Sequence, residues 1–153
     1  MKPGTAYAAC STSGQSTTCD ASAANPWTTS VGRGNLAAED GRTVTVGAGS
    51  RIAVGDANAI SLRDNASITL QNGGTASANG VRNAGLYKSG ANTIEFRNNS
   101  TLTVDQGGQV LATGTEVTAE AVNPQGSGNF IINNGTIRAD HAVAVWFQNA
   151  SGL

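Results

Sequence analysis

The chain is predicted to be all-β, a right-handed three-faced parallel β-helix (solenoid), on three observations: an internal repeat, apolar residues paired two apart, and Gly- and Asn-rich punctuation between the pairs. The repeat comes first because it decides the class. Residues 60–80 lie over residues 94–114 without a gap at an offset of 34, with eight of 21 positions identical. An earlier copy, residues 36–54, lies over residues 60–78 at an offset of 24. A degenerate later copy starts at Phe130, aligned with Leu102 and with one residue fewer at the turn.

Within each copy the apolar pairs Val44/Val46, Ile52/Val54, Ile60/Leu62 and Ile68/Leu70 leave one polar or small residue between their members. That is the signature of a strand with one buried face. Between the pairs stand Gly47 and Gly49, Asp64-Asn65, Gly73-Gly74, Asn98-Asn99, Gly107-Gly108 and Asn134-Gly135. Gly and Asn accept the positive φ of a sharp corner, so three short strands and three corners make one rung. A single rung cannot bury its apolar face alone, whereas stacked rungs share inner columns. Three columns follow from the alignment: Leu36/Ile60/Ile94, Val44/Ile68/Leu102/Phe130 and Ile52/Ala76/Val110/Ile137. An antiparallel sandwich does not require such in-register recurrence, and a trimeric β-roll has shorter rungs.

Residues 1–35 are assigned to an N-terminal cap segment with a Cys10-Cys19 loop, and residues 36–153 to the rungs. Loop excursions are expected at about 81–93 and 115–128, because the offset changes there, and insertions in a solenoid gather on one side. Tyr7, Pro26 and Trp27 precede the first clear rung and are expected to cap its apolar end. Trp146-Phe147, in alternating strand context, is expected to be core rather than a ligand platform.

The charge balance bounds the partners. Only 12% of the 153 residues are charged and the formal net charge is -1 with signs interspersed, so there is no basic stripe for nucleic acid. No apolar run is long enough to cross a bilayer, so no direct membrane insertion is expected of this stretch. No cofactor or metal is expected. Cys10 and Cys19 enclose a flexible polar stretch, and His141 is the only other obvious zinc ligand, so a local disulfide fits better than a metal site or free thiols. A disulfide implies an oxidising compartment.

The phrases Ser67-Ile-Thr-Leu-Gln-Asn-Gly-Gly, Ser100-Thr-Leu-Thr-Val-Asp-Gln-Gly-Gly and Phe130-Ile-Ile-Asn-Asn-Gly-Thr-Ile-Arg-Ala resemble rungs from the passenger domains of bacterial autotransporters. The likeness covers about residues 36–147. It implies type V secretion through periplasm and outer membrane, display at the cell surface or release, and a role in virulence as an adhesin or self-association scaffold for aggregation and biofilm. The partners so implied are another copy, a host surface protein or a glycan. It also implies further rungs and a C-terminal barrel, so the stretch is read as an N-terminal fragment, with the alternative of a passive stalk for a module beyond Leu153.

Catalytic chemistry leaves little trace, and the chain is not read as an enzyme. A polysaccharide-acting β-helix enzyme remains the alternative, since glycoside hydrolysis needs two facing carboxylates. Asp40 and Asp64 align at equivalent corners, but Asn98 follows them, which suits capping of backbone groups. His141 has no positioned serine nucleophile, and the Gly pairs lack the Lys-Ser/Thr ending of a phosphate loop. Arg63 and Arg97 align and are candidate ligand contacts, as are Tyr87 and Lys88 of the first excursion.

Overall fold

The computed structural model describes residues 10–21, 26–55, 57–79, 91–115 and 117–148. Strands β1 (Cys10–Ser13) and β2 (Ser16–Cys19) form an antiparallel hairpin. The chain then coils through β3 (Thr43–Val46), β4 (Arg51–Val54) and β5 (Ile60–Ser61), and through β6 (Ser67–Leu70), β7 (Thr75–Ala78) and β8 (Ile94–Phe96). It continues through β9 (Thr101–Val104), β10 (Gln109–Ala112) and β11 (Val122–Pro124), and ends with β12 (Phe130–Asn133) and β13 (Thr136–Ala139).

These strands sort by rung position into three sheets, ordered β1-β2-β3-β6-β9-β12, β4-β7-β10-β13 and β5-β8-β11. Every pairing between rungs is parallel, and only the β1–β2 hairpin runs antiparallel. The expected three-sheet solenoid is borne out. We name the sheets after their first rung strand: the β2 sheet, the β4 sheet and the β5 sheet.

Alternation puts one side of each strand into the shared interior. In the β2 sheet the inward columns are Thr17/Val44/Ile68/Leu102/Ile131 and Cys19/Val46/Leu70/Val104/Asn133. In the β4 sheet Ile52/Ala76/Val110/Ile137 stack as the repeat predicts. In the β5 sheet Ile60, Ile94 and Val122 stack, with Leu62 and Phe96 beside them. Most of these side chains are fully buried, and each contributes about 1.5 to 3 kcal/mol, so stability is distributed along the rod.

Side-chain volume is balanced within a rung. In the second full rung the β4 sheet supplies only Ala76 and Ala78, while the β5 sheet supplies Phe96, and all three are buried. A close-packed interior needs that exchange of small for large.

Two predicted columns need correction. Leu36 does not join Ile60: it is 44% exposed, and Val31 bridges Ile60 instead. The reason is local. Gly32, at φ 76°, passes so close to β5 that a Cβ there would meet the Leu62 side chain at 2.6 Å, after which the chain turns outward to a 3-10 turn at Ala37–Glu39. Phe130 likewise faces outward at 67% exposure, and Ile131 pairs with Leu102. The corner between β12 and β13 is two residues shorter than the corner between β9 and β10, not one, and that single residue inverts the faces.

Stacking also starts upstream of residue 36. Strand β2 pairs in parallel with β3, and Trp27 and Val31 bridge Ile52 and Ile60, so the cap segment is itself an incomplete rung. Trp27 covers the end of the β4 sheet as predicted, whereas Tyr7 lies outside the described residues. Cys10 and Cys19 form a disulfide across directly opposed hairpin positions. Cys19 is 1% exposed and sits on Val46, so the bridge closes one inner column. Thr17 closes the other, its hydroxyl 2.9 Å from that of Thr12.

The tract 115–128, expected as an excursion, contains β11. Most of the tract expected at 81–93 lies outside the described residues.

Candidate functional site

With the interior filled by apolar columns, recognition falls to the outward side chains, and the three sheets present different chemistry. The β2 sheet shows two columns of hydroxyls, Ser16/Thr43/Ser67/Thr101 and Thr18/Thr45/Thr69/Thr103, which end on Phe130 and Ile132, 67% and 50% exposed. No charged residue interrupts either column.

The β5 sheet is different. Its outward positions bring Ser61, Glu95 and Asn123 into register, and the bridges of Val122 to Val145 and Gln125 to Gln148 extend that column to Trp146. Beside it runs Arg63, Arg97, Gln125 and Gln148. Trp146 is 46% exposed and faces outward, so the expectation that it is core is corrected: it lies one residue from the inward Val145.

The side chains of this face are held by one another. Asn92 donates from Nδ2 to Glu95 Oε2 at 3.2 Å and accepts the Glu120 backbone N–H on Oδ1 at 3.1 Å. Glu120 is thereby fixed beside Glu95 although 25 positions separate them in sequence. Burial raises the Glu120 carboxyl above its ordinary pKa, with a smaller push from the Glu95 charge. Asn123, 1% exposed, accepts from Gln125 Nε2 at 3.1 Å and donates to the Trp146 carbonyl at 3.3 Å.

The predicted site residues separate. Arg63 lies with Nε 3.4 Å from Asp40 Oδ1 and 3.7 Å from Asp64 Oδ2, which neutralise it and oppose an anion there. Arg97 is stacked on Arg63 through its backbone, N–H to carbonyl at 2.9 Å, and among the described residues its guanidinium has no ion pair. Tyr87 and Lys88 lie outside the described residues. His141 donates from Nδ1 to the Gly114 carbonyl at 3.0 Å.

Sequence reasoning missed Glu95, Glu120, Asn92 and Gln125. Glu95 alone was within reach, since it stands between the inward Ile94 and Phe96. The others depend on β11, a strand whose Asn123 and Pro124 give no apolar alternation.

Among the described residues, no group of three or more His, Cys, Asp or Glu side chains is placed to hold a metal ion. No helix among them is long and apolar enough to cross a membrane. Fold and surface together define a disulfide-capped, three-sheet parallel β solenoid. No protein-family model matches the chain, and neither a curated protein nor a solved structure matches it significantly.

Proposed function

We propose that the chain is part of a bacterial autotransporter passenger, exported to the cell surface, whose rod acts as an adhesin and self-association scaffold. The observation that carries this reading is the outer face of the β2 sheet: two uncharged hydroxyl columns ending on exposed Phe130 and Ile132. Such a face complements itself, because each hydroxyl both donates and accepts and no charge repels a second copy. One pair of short faces binds weakly, but many copies on one surface add by avidity. The resemblance of the rung phrases to passenger rungs supports the cellular setting, and the disulfide suits an oxidising compartment.

Analytical ultracentrifugation over a concentration series, with and without reductant, tests the reading. Reversible association that survives reductant and is lost in a Phe130→Asp/Ile132→Asp variant is expected. A chain that stays monomeric at every concentration removes self-association and favours a passive stalk.

A second reading, action on a polysaccharide, is favoured by one feature. Glu120, whose carboxyl pKa burial raises, lies beside the more exposed Glu95, the kind of carboxyl pair that glycoside hydrolysis uses. Release of reducing ends from plant and bacterial polysaccharides, abolished in Glu120→Gln, is its test.

A further inference from the structure

We propose that the outer face of the β5 sheet is a glycan-binding face that takes a neutral, hydroxyl-rich sugar chain lying along the rod. The inference rests on the adhesin reading above and names the partner class and the face that adhesion uses.

Three features of the face carry it. First, the outward residues that reach solvent are planar groups, Arg97/Gln125/Gln148 in one column and Glu95 and Trp146 in the next on either side of the buried Asn123, whereas the β2 sheet offers hydroxyls and two apolar side chains. Strands about 4.8 Å apart repeat those groups at a fixed pitch, as a chain of repeating sugar units requires. Second, the groups are pre-positioned. Buried Asn123 holds the Gln125 amide, Asn92 holds the Glu95 carboxylate, and neither has to be ordered on binding. Third, the half-exposed Trp146 supplies an apolar ring at the end of the strip, the platform on which the C–H face of a sugar stacks.

Charge selects the class of sugar. Among the described residues Arg97 has no ion pair, so its guanidinium offers donors, and Glu95, two residues away on the same face, accepts from hydroxyls. One positive and one negative group cancel, so the strip presents donors and acceptors with no net pull on a polyanion.

The test is titration of the intact chain with neutral oligosaccharides (cellohexaose, xylohexaose, mannohexaose and laminarihexaose) and with hexagalacturonate, followed by tryptophan fluorescence and calorimetry. The expected result is saturable binding of a neutral chain with a fluorescence change that Trp146→Phe removes. Affinity is expected to fall about tenfold or more in Trp146→Ala and in Arg97→Ala. Arg138→Ala, on the β4 sheet, serves as control, and unchanged circular dichroism shows that the variants fold.

No binding of any neutral probe overturns the proposal. So does preference for hexagalacturonate that weakens with salt, or neutral binding that Trp146→Ala and Arg97→Ala leave intact. If the chain still self-associates while no sugar binds, this proposal alone fails. If it neither self-associates nor binds sugar, the adhesin reading fails with it.

Discussion

Oδ1 of Asp64 accepts the backbone N–H of Asn98, the residue in the same corner of the next rung, at 3.0 Å. Asp40 does the same for Asp64 at 3.4 Å, and Asn98 for Ser127 at 3.0 Å. The residue after each acceptor adopts positive φ: Gly41, Asn65 and Asn99 at 75°, 57° and 55°. Asn and Gly are the residues that tolerate that conformation best, so the corner is a repeating pair, an acceptor followed by a left-handed residue. The acceptor adds a side-chain tie at a corner that backbone hydrogen bonds also join, Gly41 N–H to the Asp64 carbonyl and Asn65 N–H to the Asn98 carbonyl.

This predicts different outcomes for two substitutions at one site. Asp64→Asn keeps an oxygen in the accepting position and is expected to change stability little. Asp64→Ala leaves the Asn98 N–H and the Asn98 Nδ2 group without that partner and is expected to cost about 1 to 3 kcal/mol. Urea denaturation of both variants decides it, and equal losses would mean that the Asp64 charge facing Arg63, not the acceptor, holds the corner.

The size exchange within the second full rung makes another prediction. Phe96→Ala is expected to destabilise by about 3 to 5 kcal/mol, since Phe96 is fully buried between Leu62 and Pro124 in its column. Adding Ala76→Leu supplies volume from the facing sheet and is expected to recover part of the loss, while Ala76→Leu alone overpacks the rung and destabilises. A double-mutant cycle by thermal unfolding measures the coupling. Strict additivity would show that the two positions do not share space.

The contrast between Ala76 and Leu36 shows how far the sequence could be read. Ala76 was placed on Ile52 and Val110 because a gapless repeat carries register with it, and register fixes which side chains face inward. Leu36 and Phe130 were misplaced where the repeat breaks, because alignment there relied on apolar character while the chain followed corner length and the close approach of Gly32. The candidate site was less legible for the same reason. Arg63 and Arg97 lie inside the gapless copies, and the structure stacks them. Glu120 and Asn92 lie in the irregular connections, and only the pairing of β8 with β11 brings them together.

Glu120 gives a prediction in pH. Its carboxyl is held protonated in the folded chain over a range where the unfolded chain has already lost the proton, because burial and then the Glu95 charge raise its pKa. Folded chains therefore bind more protons than unfolded chains within that window, and stability falls as pH rises through it. Below the unfolded-state pKa the group is neutral in both states and costs nothing. Above the raised folded-state pKa it is charged in both, and the penalty is complete. Glu120→Gln keeps the shape and removes the titration. The stability of the variant minus that of the parent is expected to rise with pH from the ordinary carboxylate range upward and then level off, as read from urea denaturation at a series of pH values. That difference curve cancels the carboxylates remote from Glu120, which the substitution leaves unchanged. A flat difference would mean that the Glu120 side chain reaches water or finds a compensating donor, and it would also remove the protonated acid on which the polysaccharide-acting reading depends.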